Sequence, residues 1–257
     1  MYGIVLFYHS VYVILFGSVK REVKFMQKDF KKGLSDGIPI GLGYFSVSFG
    51  FGILAMSSKI SAFFAWLISA TNLTSAGQVA GVEIIEASGT LIEMALTQLV
   101  INLRYSLMGF SLTQKLDKSF TTPKRLLLAF GITDEIYAVA ISQKGKITAS
   151  YMAGLIVIPF IGWTSGTVAG ALTNQFLPDI IANNMGILLY GMFIAICIPA
   201  AKKSKAVLVA VIIAAIISVL LKYFLPFISS GFSVIINAVI AAVICAALFP
   251  VSEEEGS

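Results

Sequence analysis

The stretch Ala206–Phe224, AVLVAVIIAAIISVLLKYF, carries a single charge, Lys222. About 20 consecutive apolar residues are what an α-helix needs to cross the hydrocarbon core of a bilayer. A helix this apolar on every side has no face to offer to water. Phe227–Phe249 repeats the pattern downstream. Upstream, further apolar runs occupy Ile38–Met56, Ile60–Ile85, Gly89–Leu112, Leu126–Ser142, Ile147–Phe176 and Met185–Ala201. The 257 residues are 58% hydrophobic and 12% charged, about half the charge of a soluble chain, with mean hydropathy +0.91. The expected fold is therefore all-α, a polytopic transmembrane helical bundle with no separate soluble domain.

The formal net charge of +5 does not call for a nucleic-acid partner. Its Lys and Arg residues sit in short clusters between apolar runs, as the positive-inside rule places them, and no aromatic-rich basic patch accompanies them. Cys197 and Cys245 lie inside apolar segments and form neither a disulfide framework nor a metal set. Residues 1–25 read in two ways. They are an extra marginal span followed by Lys20, Arg21 and Lys24, or an appendage ahead of a true start at Met26. A signal peptide would carry its charge before the apolar region. The transporter domain is then 26–251, with an acidic tail at 252–257.

The loop charges conflict if every run crosses once. Lys28, Lys31, Lys32, Lys202, Lys203 and Lys205 read as cytoplasmic, which puts Lys115, Lys118, Lys124 and Arg125 outside. Letting Ile60–Ile85 and Ile147–Phe176 return to the side they entered moves that cluster inside, but moves Lys144 and Lys146 out. Both of those runs carry breakers. The first contains Thr71-Asn72-Leu73-Thr74-Ser75-Ala76-Gly77-Gln78. The second contains Pro159 and then Gly162-Trp163-Thr164-Ser165-Gly166-Thr167. Irregular backbone at membrane depth survives only where protein or a cavity surrounds it, and paired interrupted segments point to a transporter's binding site. Both runs are expected to be broken or re-entrant helices.

Glu93, Arg104, Asp134 and Glu135, ionisable residues within apolar runs, decide most of the reading, since each costs about 2.5–3.5 kcal/mol or more at the bilayer centre. Glu93 and Arg104 share one face of a helix but lie about 16 Å apart along it, so each needs a partner elsewhere. Gln98, Asn102 and Tyr105 form a second polar stripe, which predicts a helix surrounded by protein rather than lipid. Asp134 and Glu135 are adjacent; their mutual repulsion would leave one protonated near neutral pH and suit a proton site. The plainer reading is a helix-end pair with Thr133 as N-cap. For Arg104 the plainer reading is an interfacial arginine that snorkels. The glycines Gly37, Gly41, Gly43, Gly50 and Gly52, with Gly166 and Gly170, read as close helix packing.

The opening Phe30-x-x-Gly33-Leu34, with Gly37-Ile38-Pro39-Ile40-Gly41-Leu42-Gly43-Tyr44 and Phe49-Gly50, resembles the start of the AzlC family, the large subunits of bacterial branched-chain amino acid exporters. Ser69 with Ala76-Gly77-Gln78 resembles that family's Ser…Ala-Gly-x-x-Gln region, shifted and without its usual Phe-Ala-Gly lead. Asn102-Leu103-Arg104-Tyr105 is similar to Asn-Leu-Arg-His, with Tyr105 replacing a histidine that could have titrated near pH 7. Thr133-Asp134-Glu135 and Trp163-x-x-Gly166-Thr167-x-x-Gly170 also match. The resemblance covers about Lys28–Phe249. It implies a multi-pass protein of the bacterial inner membrane that exports branched-chain amino acids with a small hydrophobic AzlD-type subunit and no cofactor.

A zwitterionic substrate needs a cation or helix N-terminus for its carboxylate, and an anion or carbonyl for its ammonium. Asn72, Ser75, Gly77, Gln78, Asn102, Arg104, Trp163 and Thr167 are the expected substrate-binding residues; Glu93, Asp134 and Glu135 are the candidates for carrying a proton. A channel or facilitator for a small solute is the first alternative. A membrane-embedded enzyme is the second, and no His-Glu-x-x-His, Gly-x-Ser-x-Gly or phosphate-loop motif supports it.

Overall fold

The computed structural model describes residues 2–174, 176, 191, 194 and 197–250, with side chains from Lys24 onward. The expected run Met185–Ala201 falls largely outside the described residues, as does the tail at 252–257. Beside the helical residues 197–203, nine helices are described from end to end: α1 Tyr2–Ser57, α2 Ala62–Thr71, α3 Ser75–Glu86, α4 Leu91–Thr113, α5 Thr122–Ala129, α6 Asp134–Ser142, α7 Ala149–Asn174, α8 Lys205–Phe224 and α9 Ser230–Leu248. Four of these segments are long and apolar enough to cross a membrane: Lys24–Ser57, Ala149–Asn174, Lys205–Phe224 and Ser230–Leu248. The chain divides into two compact units, Met1–Gly43 with Leu107–Gly162, and Tyr44–Ser106 with Trp163–Ser257.

In the first unit, α1 lies parallel to α7. Gly33 abuts Tyr151, Gly37 abuts Leu155 and Gly41 abuts Ile158, so the contacts ascend together along both helices. A Cβ at Gly33 would stand 2.1 Å from the Tyr151 carbonyl oxygen, which is why small residues are needed there. Pro159 does not break α7, contrary to the expectation for Ile147–Phe176; the helix is continuous through it. A proline removes the hydrogen bond to the carbonyl four residues back. That carbonyl, Leu155, is the one packed on Gly37, where a bare Cα can approach it. The polar residues downstream are also absorbed by the helix, since the Thr167 hydroxyl donates to the Trp163 carbonyl (3.1 Å).

The run Leu126–Ser142 is the one that turns back. It is split into α5 and α6, about 12 and 14 Å long at 1.5 Å per residue, too short to span roughly 30 Å of hydrocarbon. The loops before and after this hairpin are bonded to each other. Ile147 N–H donates to the Lys115 carbonyl (2.8 Å), and Asp117 N–H donates to the Ile147 carbonyl (3.0 Å). Lys146 donates to the Gln114 carbonyl (2.8 Å), and Lys115 to the Gln143 carbonyl (2.9 Å). Lys32 reaches the same place, donating to Gln143 and lying 5.2 Å over the Tyr151 ring. The loops bearing Lys115–Arg125 and Lys144–Lys146 therefore share one end with the lysines of α1. Both sequence-derived topologies placed one of these groups on the wrong side; with α5–α6 as the hairpin, the positive-inside rule is met by both.

In the second unit, Ile60–Ile85 is broken, as expected, at Asn72–Thr74 between α2 and α3. Helices of about 15 and 18 Å cannot each span, and the two ends of the hairpin meet where Ser58 donates to Glu86 (2.8 Å). Both ends close in the same manner. Lys59 and Ser88 take positive φ (62° and 55°), and Ile60 and Gly89 N–H donate back to Ala55 (2.9 Å) and Ile84 (2.8 Å), each a Schellman-type stop. Phe51, Ala55, Ile60, Ala65, Val79 and Val82 form the core beneath. α8 and α9 pack on each other, α9 also touches α3, and their outer faces are exposed.

Helix α4 corrects one expectation. It is not enclosed by protein: Ile92, Leu96, Leu99, Leu103, Leu107 and Phe110 form an exposed stripe at helical spacing. The polar residues occupy the remaining faces, and only part of them is buried.

The hairpin assignment has a direct test. With Cys197 and Cys245 replaced by alanine, single cysteines at Ser58 and Glu86 should react with a membrane-impermeant maleimide from the same side. Labelling from opposite sides would show that Ile60–Ile85 crosses.

Candidate functional site

The site is built around the α2–α3 break in the second unit. Asn72 ends α2, its N–H bonded to the Ile68 carbonyl, and its side-chain oxygen accepts from Thr74 N–H (3.4 Å). Thr74 then caps α3, accepting from Gly77 N–H (3.2 Å). The N–H groups of Ser75 and Ala76 complete the positive end of that helix.

Two polar chains run from this point. In the first, Gln78 Nε2 donates to Ser69 Oγ (3.0 Å), and Ser69 Oγ shares a hydrogen bond with Thr167 Oγ1 (2.7 Å). Gln78, Ser69, Thr167 and Trp163 are all buried, at 1%, 0%, 0% and 2% exposure. Tyr44 packs edge-on to Trp163, with ring centroids 5.3 Å apart. In the second chain, Asn102 Nδ2 donates to Gln98 Oε1 (3.2 Å) and Gln98 Nε2 donates to the Gly77 carbonyl (2.7 Å). A Cβ on Gly77 would stand 2.5 Å from Gln98 Oε1, so glycine is what lets α4 approach α3.

These chains are incomplete. Gln78 Oε1, Asn102 Oδ1, Thr97 Oγ1 and Trp163 Nε1 are four of the six buried side-chain polar atoms without a partner among the described residues. Each such atom costs about 1–3 kcal/mol. Three of them, two amide acceptors and one N–H donor, complement a small molecule carrying both donors and acceptors; the Thr97 hydroxyl lies instead beside Glu93 at Gly231.

Glu93 lies in the first turn of α4 and is 3% exposed. The partner the sequence required is the start of α9: Glu93 accepts from the Ser229 hydroxyl and from Gly231 N–H (3.0 Å). A carboxylate at a helix N-terminus is favoured by the free N–H groups and the dipole. Arg104 is exposed; it donates to Tyr105 Oη (3.1 Å) and stacks on that ring at 4.9 Å. Asp134 and Glu135 belong to the first unit and occupy the first turn of α6, where Thr133 accepts from Ile136 N–H (3.4 Å). The helix-start geometry of the plainer reading is thus present at that pair.

Two groups escaped sequence reasoning. Thr97 is fully buried; its spacing of four from Glu93 would have placed it on the same face. In the first unit, Asp36 accepts from the Tyr151 hydroxyl (2.7 Å) and from Gln143 (3.4 Å), and Asp29 accepts from the Thr148 hydroxyl (2.7 Å). Two carboxylates seven residues apart on one helix, Asp29 beside Lys28 and Asp36 four residues after Lys32, were the available signal.

Comparison with known proteins fits this architecture. The model of the AzlC protein family matches residues 39–177, more than half of the chain. The chain belongs to the AzlC family. It is 28% identical over 192 residues to the inner membrane protein YgaZ of Escherichia coli K12, covering 70% of this chain and 76% of that protein. It is also 30% identical over 148 residues to an uncharacterized membrane protein of Archaeoglobus fulgidus, covering 58% of this chain and 64% of the relative. No solved structure matches. This AzlC-family chain is thus a multi-pass membrane protein, and the α2–α3 break and both polar chains lie within the span shared with the family model.

Proposed function

We propose that this chain is a secondary permease of the bacterial inner membrane exporting branched-chain or other apolar amino acids, coupled to protons and working with a small hydrophobic AzlD-type subunit. The observation that carries the reading is the buried, half-satisfied polar network at the α2–α3 break, with Gln78 Oε1, Asn102 Oδ1 and Trp163 Nε1 unpaired. In this reading the two amide oxygens accept from the substrate ammonium. Trp163 N–H and the N-terminal N–H groups of α3 at Ser75 and Ala76 receive the carboxylate, with Asn72 holding the break, Gly77 letting α4 approach and Thr167 fixing Gln78 through Ser69. Arg104 meets the carboxylate outside the buried network.

Proton coupling is assigned to Glu93, Asp134 and Glu135. All three stand at helix N-termini, where gain of a proton weakens the hold on the helix. The exposed apolar faces of α8 and α9 are the seat of the small subunit. The facilitator alternative draws on the same hairpins but predicts flux without coupling.

Counterflow of labelled leucine in proteoliposomes containing this chain and its partner should exceed that of protein-free vesicles and respond to an imposed pH gradient. Absence of counterflow at any gradient would refute the permease. Flux indifferent to pH would favour the facilitator.

A further inference from the structure

The first unit contains an apolar cavity of about 260 Å³ that the transport reading does not use. Leu112, Leu116, Leu128, Ile132 and Met152 line it, and Arg125 is its one charged member. Among the described residues the Arg125 guanidinium has no hydrogen-bond or ion-pair partner, unlike the side chains of its neighbours. Lys124 donates to the Ser119 carbonyl (3.2 Å), Lys115 holds the end of α6, and Asp117 accepts from Ser119 rather than from Arg125. The guanidinium thus stands at the mouth of an apolar cleft with its donors unused.

The surroundings say which molecule fits. Leu126 and Leu127, next along α5, are 73% and 75% exposed, so hydrocarbon covers this helix. The loop before it and its own first turn carry Lys115, Lys118, Lys124 and Arg125 against the single carboxylate Asp117, at the end of the unit where its lysine loops gather. Thr121 precedes α5 without giving its side chain to the helix's first N–H groups, so the start of α5 adds positive potential to the arginine. A cleft apolar inside, cationic at its mouth and open to lipid matches one chemistry. We propose that this cavity binds an anionic phospholipid, with the phosphate on Arg125 and an acyl chain against Leu112, Leu128 and Met152. Arg suits the phosphate because it donates in a bidentate fork.

Native mass spectrometry of the full chain in micelles, titrated with palmitoyl-oleoyl phosphatidylglycerol or palmitoyl-oleoyl phosphatidylcholine, tests this. Phosphatidylglycerol should bind about fivefold more tightly, the effect of one cation at a membrane surface. Arg125→Gln should reduce it to the phosphatidylcholine level. Gly109→Leu should weaken both lipids. Gly109 lines the cavity, and a Cβ there meets nothing within 4 Å, so the side chain fills space without a clash. Equal binding of both lipids, an unchanged preference in Arg125→Gln, or unaltered binding in Gly109→Leu would each overturn the proposal. So would glycerol phosphate binding as well as the whole lipid, or displacement of the lipid by leucine.

Discussion

Glu93→Ala should cost about 3 kcal/mol of stability, since it strands one buried and one part-buried donor at about 1–3 kcal/mol each. The Ser229 hydroxyl and Gly231 N–H both donate to the Glu93 carboxylate, a polar anchor added to the packing of α9 on α8 and α3. Glu93→Gln keeps an acceptor at similar volume but loses the charge that strengthens both bonds, so it should fall between alanine and wild type. Gly231→Ala supplies an independent check. A Cβ there would lie 2.6 Å from Glu93 Oε1, so it should destabilise the wild type. In the Glu93→Ala background it should cost less, by about 1–2 kcal/mol of non-additivity. Thermal unfolding of the purified protein measures all four. If Glu93→Ala unfolds with the wild type, the carboxylate does not hold α9.

Gln78→Leu should move stability and transport in opposite directions. The substitution keeps the volume and removes a buried acceptor that lacks a partner, leaving Ser69 still bonded to Thr167. The lost Gln78–Ser69 bond is worth about 1 kcal/mol, similar to the cost of the orphaned oxygen that disappears with it. Unfolding should therefore change by less than about 1 kcal/mol or rise slightly. Leucine counterflow, by contrast, should fall at least about tenfold, because a site built to pair a polar group is left with an apolar wall. Such a split marks a residue kept for function at the expense of stability. A merely structural glutamine would lose both together.

Much of this architecture was legible from residue types. The apolar runs mark the long helices. Asn72, Thr74 and Ser75 announce the first break because a capping threonine follows a residue that bonds its own backbone. The spacing of Gly33, Gly37 and Gly41 foretells a close helix contact. What stayed hidden is tertiary. Pro159 reads as a breaker until Gly37, on another helix, is seen accommodating the freed carbonyl. The second break, at Phe130–Thr133, shares a threonine cap with the first, here followed by acidic residues that favour a helix start. Its flanking apolar residues mask it, since a hydrophobic run does not show whether it crosses or turns. The stripe Gln98–Asn102 was visible in the sequence, whereas its anchor on the Gly77 carbonyl was not.

The central claim is that the buried network at the α2–α3 break receives the substrate's polar ends. The chain has two tryptophans, and Trp66→Phe leaves Trp163 alone beside Gln78's chain of hydrogen bonds. Titrating leucine into that variant should give a saturable change in Trp163 fluorescence that Gln78→Leu abolishes. A fluorescence signal indifferent to leucine, in protein that still performs leucine counterflow, would contradict the claim.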